Sequence, residues 1–162
     1  MKKFVLIWSL FLSIIQGSDA FLLPDQSSDA LYTLKQKIKT AKNSIILLTS
    51  SDIDASLRKA IVKQLSSDVK FKLITSSEKT AGSFAIYRNS SVFVLRSNSS
   101  HNLQTNLLVI DGKTGCLSTL GLDNVITRQQ TGIILCSDQS KDIVFYQSVI
   151  DRLSLRSDPY LK

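Results

Sequence analysis

Two runs in this chain, Ile45-Ile46-Leu47-Leu48 and Leu107-Leu108-Val109-Ile110, carry no polar side chain. A strand with one face in water alternates apolar and polar residues, so an unbroken apolar run bounded by polar residues fits a strand covered on both sides. Such a sheet needs a layer on each face, and the amphipathic segments elsewhere in the chain can supply both. Residues 28–42 set Leu31, Leu34, Ile38 and Ala41 at helical spacing, with Lys35, Lys39 and Lys42 on a flanking, solvated stripe. Ile53, Leu57, Ile61 and Leu65 recur every fourth residue behind Ser51 and Asp54, which read as a capping box, and this second helix runs to about Gln64. A weaker helical pattern covers 78–88. A final helix over Ile143 to Leu155 has Ile143, Tyr146, Val149, Ile150 and Leu153 on its inner face.

Further strands are predicted at Val69–Thr75, Ser91–Arg96 and Ile133–Cys136, with a polar loop from Ser97 to Asn102. The apolar run at 107–110 stops at Asp111-Gly112, a tight-turn dipeptide, so Cys116–Leu120 is expected to return beside it as a hairpin partner. The chain has 162 residues and contains neither an internal repeat nor a linker. The prediction is therefore one α/β domain, a mixed β-sheet flanked by helices on both faces.

Residues 1–20 read as an export signal. Lys2 and Lys3 open it, Phe4 to Ile15 is apolar apart from Ser9 and Ser13, and Gly17-Ser18-Asp19-Ala20 offers small residues for cleavage before Phe21. The apolar stretch is well short of the ~20 residues that span a bilayer. Residues 21–162 then form the mature domain, and a periplasmic or secreted location follows. The whole chain has 20 Lys and Arg against 13 Asp and Glu; losing Lys2, Lys3 and Asp19 leaves 18 against 12, a net charge of +6. That surplus suits polyanionic partners, nucleic acid or anionic phospholipid, although solubility alone would also account for it. In an oxidising compartment Cys116 and Cys136 are free to pair, but their spacing does not decide whether they do.

The side-chain inventory restricts the chemistry more sharply. His101 is the only histidine and Glu78 the only glutamate. With two cysteines, the chain cannot build a zinc site of two Cys and two His or of four Cys, and a mechanism needing two histidines cannot operate within one chain. No metal and no cofactor is expected.

Three stretches, IKTAKNSIILLTSSDIDASLRKAIVKQ, VKFKLIT and LLVIDGKTG, resemble the phospholipase D superfamily, and most of all its single-motif, Nuc-like secreted branch of endonucleases and phospholipases. The likeness spans about residues 28–156 and implies a phospholipase D-like single domain. The family's motif is HxKxxxxD, in which the His attacks phosphorus, the Lys holds the phosphate oxygens and the Asp supports. Aligned on Asp111, the His position holds Gln104 and the Lys position Asn106. The motif is degenerate: Gln104 offers no basic lone pair for attack, and Asn106 brings no positive charge to a pentavalent phosphorane. A second family signature, a Gly-Ser pair and an Asn that bind phosphate, falls on Ser118, Thr119 and Gly121, or, with a longer hairpin, on Gly121, Leu122 and Asn124. The family's later acid falls on Gln130.

The resemblance thus implies Asn106, Asp111, Thr119, Asn124 and Gln130 as ligand-binding candidates around a polar groove near Gln104. His101 lies three residues ahead of the motif position, and a register slip that used it would turn the strand's buried faces outward. The expected protein is an exported pseudoenzyme, a binding or assembly module for phosphate-containing polyanions or a partner protein. The alternative is a divergent phosphodiesterase with His101 as its nucleophile. The branch also implies a homodimer, or a heterodimer with another phospholipase D-like subunit.

Overall fold

The computed structural model describes residues 18–95, 105–123 and 130–161. Arg96, the loop at 97–102, His101, Gln104 and Asn124 lie outside these residues. Twelve elements follow in chain order: β1 (Asp19–Leu23), α1 (Ser27–Lys39), β2 (Ser44–Thr49), α2 (Ala55–Leu65), β3 (Lys70–Thr75), α3 (Glu78–Ala85), β4 (Ser90–Leu95), β5 (Asn106–Ile110), β6 (Thr114–Ser118), β7 (Gly132–Ser137), α4 (Ser140–Ser154) and β8 (Ser157–Pro159).

The two apolar runs became neighbours. The strand order is β1-β7-β6-β5-β2-β3-β4-β8, so β5 and β2 sit at the centre, antiparallel, with Leu47 opposite Leu108 and Ile46 opposite Val109. Every residue of β5 is buried. β2, β3 and β4 are parallel to one another and the remaining pairs are antiparallel, which makes the sheet mixed. Helices α1, α2 and α3 share one face, packing Leu34, Ile38, Leu57, Ile61 and Phe84 on Ile45, Leu47, Phe71, Leu73 and Leu108. On the other face α4 sets Ile143, Tyr146 and Ile150 against Leu48, Ile74, Leu107 and Val109. Successive residues of a strand point to opposite faces, so an apolar run without alternation feeds both cores.

The helical spacing held, with Leu34, Ile38 and Ala41 buried and Leu31 packed at the edge of the core. The start of α2 differs from the expected box: Asp54 is itself the cap, and its Oδ1 accepts from the N–H groups of Ser56 at 2.7 Å and Leu57 at 3.2 Å. The hairpin is also tighter. Asp111 (φ +53°) and Gly112 (φ +62°) form a two-residue left-handed turn closed by Lys113 N–H on Ile110 O at 2.9 Å, so the return strand begins at Thr114 rather than Cys116. Gly112 meets no steric penalty there, and Asp is among the few residues that tolerate the same conformation.

Strands β1 and β8 have no counterpart in the sequence reading. β1 adds to β7, pairing Asp19 with Cys136 and Leu23 with Gly132, while β8 adds to β4. Cys116 and Cys136 face each other across β6 and β7 with their Cα atoms 4.0 Å apart and are joined as a disulfide. The bridge spans a separation of 20 residues, and a loop of that size is worth about 3 kcal/mol of chain entropy.

Candidate functional site

Asn106 opens β5 and Asp111 follows its end. Five residues of extended chain, at about 3.3 Å each, put roughly 16 Å between them. The two motif positions therefore lie at opposite ends of the sheet, and one groove cannot contain both, which corrects the expected grouping.

The Asn106 end gathers the carboxyl ends of β2, β3 and β6, the place where open α/β sheets bind ligands. A repeated signal marks it in the sequence: β2 runs into Thr49-Ser50-Ser51-Asp52 and β3 into Thr75-Ser76-Ser77-Glu78. Both strands stop the same way. Thr49 Oγ1 accepts from Ser51 N–H at 3.3 Å and Thr75 Oγ1 from Ser77 N–H at 3.0 Å, turns in which a hydroxyl replaces the next strand partner. Both tags are legible in the sequence, and neither belongs to the HxKxxxxD motif.

The amide of Asn106 is buried and bonded at both ends. Its Oδ1 accepts from Ser50 N–H at 3.2 Å, and its Nδ2 donates to Leu120 O at 2.8 Å, tying the end of β2 to the segment after β6. Ser118, opposite Asn106 on β6, donates to the same carbonyl at 2.7 Å. Ser51 Oγ donates to Asp123 Oδ1 at 3.0 Å. Asp52 is met by the Lys79 ammonium, by Thr80 Oγ1 at 2.9 Å and by Ser77 Oγ at 3.5 Å. The Lys79 hydrogen bond, then that of Thr80, holds the Asp52 carboxyl below its ordinary range against an opposing effect of burial. Asp52 is thus a poor proton donor, and the charge of Lys79 is already committed to it.

Thr119 and Gln130 are exposed near the same end. Thr119 prolongs the β6–β7 ladder: its N–H donates to Ile133 O at 3.1 Å, and its Oγ1 accepts from Ile133 N–H at 3.0 Å. At the far end, Asp111 Oδ1 accepts from the N–H groups of Asn43 at 2.7 Å and Ser44 at 2.8 Å, and Oδ2 from Lys42 N–H at 2.9 Å. Burial opposes ionisation of Asp111, but the three N–H donors together outweigh it and hold the carboxyl below its ordinary value. Its three acceptor contacts belong to the turn from α1 into β2, which leaves little of it for a ligand.

Among the described residues no buried side-chain polar atom lacks a hydrogen-bond partner, and no cluster of His, Cys, Asp and Glu could hold a metal ion. Two surface clefts lie away from the Asn106 end. One, about 250 Å³, is bounded by Ser91, Phe93, Pro159 and Leu161, and the other, about 510 Å³, by Lys113, Asp138, Ser140 and Val144.

No family model matches the sequence, and no curated protein matches it. Solved structures do. NucT from Helicobacter pylori superposes with a TM-score of 0.77 at 20% identity, covering 88% of this chain and 98% of its own. Nuc from Salmonella typhimurium, a phospholipase D family member, gives 0.71 at 14% identity, covering 90% and 99%. Phosphatidylserine synthase from Haemophilus influenzae gives 0.70 at 9% identity, covering 89% of this chain and 40% of that one. The fold is that of the phospholipase D superfamily.

Proposed function

We propose that this chain is an exported phospholipase D-like protein that has given up phosphoryl transfer and serves as a binding or assembly module for a phosphate-bearing polyanion or a partner protein. One observation carries the reading. The residue at the motif's lysine position is a neutral amide whose two ends are spent on Ser50 N–H and Leu120 O. It lacks the charge to stabilise a phosphorane, and one of its two amide hydrogens is already given to Leu120 O. The self-contained hydrogen bonding around it favours contact through the outer surface, where the basic surplus lies, over capture of an anion in a groove.

The test is a phosphodiesterase assay on single-stranded DNA and on phosphatidyl lipids. No turnover is expected. Activity that follows the protein through purification and vanishes in Asp111→Ala, with the fold intact, would overturn the reading. Activity lost in His101→Ala would assign it to the divergent phosphodiesterase instead. Export is checked by sequencing the amino terminus of the released protein. Cleavage before Phe21 would take Asp19 and Ala20 from β1, along with the Asp19–Lys37 ion pair at 3.1 Å, and leave Phe21–Leu23 paired with β7.

A further inference from the structure

The two ends of the sheet differ in charge. At the Asn106 end, the described segments that leave β2, β3 and β6, residues 50–55, 76–79 and 119–123, hold Asp52, Asp54, Glu78 and Asp123 against Lys79. At the Asp111 end, the order β5-β2-β3-β4 sets one exposed cation beside each successive strand. Lys113 stands in the turn after β5, Lys42 two residues before β2, Lys70 opens β3, and Arg88 lies two residues before β4. Backbone hydrogen bonds hold the row together. Lys42 N–H meets Asp111 Oδ2 beside Lys113, Lys70 N–H meets Asn43 O at 3.0 Å, and Phe71 N–H meets Asn89 O at 2.9 Å, next to Arg88. Neighbouring strands lie about 4.8 Å apart, so the row is about 14 Å long. Gln64 Nε2 donates to Lys39 O at 2.9 Å, which brings the exposed Lys39 and Lys63, in the last turns of α1 and α2, to the same end. Their place suits the helix dipole; the four cations of the row lie outside helices and have no such reason. None of the six is in an ion pair, since among the described residues those join Lys37 to Asp19 and Lys79 to Asp52. The acids nearby are Asp111, turned back on the N–H groups of 42–44, Asp68, which accepts from Asn89 Nδ2 at 3.3 Å, and Asp138 beyond Lys113.

We propose that the row Lys113, Lys42, Lys70 and Arg88 docks duplex nucleic acid through its backbone phosphates, without regard to base sequence; this rests on the reading of the chain as a module for a phosphate-bearing polyanion and names the surface it uses. A line of cations matches a line of phosphates, and lysine meets phosphate as a point charge rather than as a reader of base edges. An anionic bilayer is a poorer fit, because an interfacial surface also presses apolar side chains into the headgroup boundary. Along the row the large exposed apolar residues are Ile86, beside Arg88, and Val144, across the cleft from Lys113, one at each end and too far apart to form a patch. A single strand is gripped by stacking its bases on exposed rings, whereas Tyr87, the aromatic residue within the row, is half-buried against the core. The four acids of the Asn106 end repel the same ligand from the place where the family's motif falls.

The experiment is fluorescence anisotropy with a labelled short DNA duplex of mixed sequence, titrated over a salt series. Four phosphate contacts give a slope of about −3.6 for the logarithm of the association constant against that of the salt concentration. The double variant Lys42→Gln, Lys70→Gln should halve the slope and weaken binding about 60-fold at about 0.1 M salt, about eightfold for each lost contact. The control, Arg152→Gln with Arg156→Gln, removes the same charge where α4 runs into β8, whose Ser157 pairs with Leu95 at the Asn106 end. It should bind like the parent, because charges more than about 10 Å away are screened at that salt. Both double variants should melt with the parent, since the altered side chains are exposed. Equal weakening in the two would make binding a matter of net charge and overturn the proposal, as would an unchanged slope in Lys42→Gln, Lys70→Gln. A tighter hold on the single strand than on the duplex would overturn it too, and so would binding to phosphatidylglycerol vesicles without binding to DNA. Cleavage of the bound duplex would overturn the loss of phosphoryl transfer and leave this surface standing. Neither binding nor cleavage would remove this surface and leave a module for a partner protein.

Discussion

The two ends of β5 hold the two described residues that the resemblance sets on the HxKxxxxD motif, one identical to the motif residue and one not. At one end Asp111 keeps the motif residue and its charge; at the other Asn106 replaces a cation with an amide. Yet both side chains now do the same work, joining β5 to backbone of other elements: Asp111 to the start of β2, Asn106 to the end of β2 and the segment after β6. Keeping a motif residue therefore says little about catalysis when that residue also closes a turn. Losing one says more when the substitute is buried and bonded to backbone at both ends.

The comparison can be broken by removing each clasp in turn. Asp111→Ala leaves three N–H groups without their acceptor, and a loss of about 3 kcal/mol is expected, near 10 °C in Tm by circular dichroism. Asn106→Leu keeps the heavy-atom branching but leaves Ser50 N–H without its acceptor and Leu120 O with Ser118 Oγ alone, and about 2 kcal/mol should be lost in urea denaturation. A larger cost for Asn106→Leu than for Asp111→Ala would invert the ranking drawn from the contacts.

Acid sharpens the contrast, because only one of the two clasps titrates. The folded Asp111 carboxyl lies below its ordinary value, so as pH falls the unfolded chain takes up the proton first. The stability it contributes is complete above the unfolded carboxyl's value and disappears as pH drops through the folded one. Asp111→Asn should flatten the acid limb of Tm against pH, and Asn106→Leu should shift the curve without changing its shape. The smallest effect belongs to Asp52→Ala. Its partner Lys79 has 78% of its side chain exposed, and solvent screening should hold the loss under about 1 kcal/mol by thermal melting.

What was legible in the sequence was whatever depended on local pattern. The apolar runs of β2 and β5, the fourfold spacing of α2 and the inner line of α4 are properties of neighbouring residues, and they placed the layers correctly. β1 was not visible because its five residues overlap the small-residue stretch read as a cleavage site, and its partner β7 lies more than a hundred residues later. β8, Ser-Asp-Pro, has no strand pattern at all and is held by β4. At the candidate site, alignment located Asn106 but could not tell a phosphate donor from a structural amide, since both roles need the same group. That distinction required Ser50 and Leu120, distant in sequence and near in space. The Thr-Ser-Ser tags closing β2 and β3 were readable and point to the same end.

The placement of β1 also sets the order in which the molecule can be completed. The amino end emerges first during synthesis, yet its strand has to wait for residues 132–137 before it has anything to pair with. The parallel trio β2, β3 and β4 can assemble from chain already made, β5 and β6 join as one hairpin, and the first strand closes the edge last. Until then the outer backbone of β7 is an open seam, and a chaperone or a second copy of the chain would meet the protein there before its own beginning does.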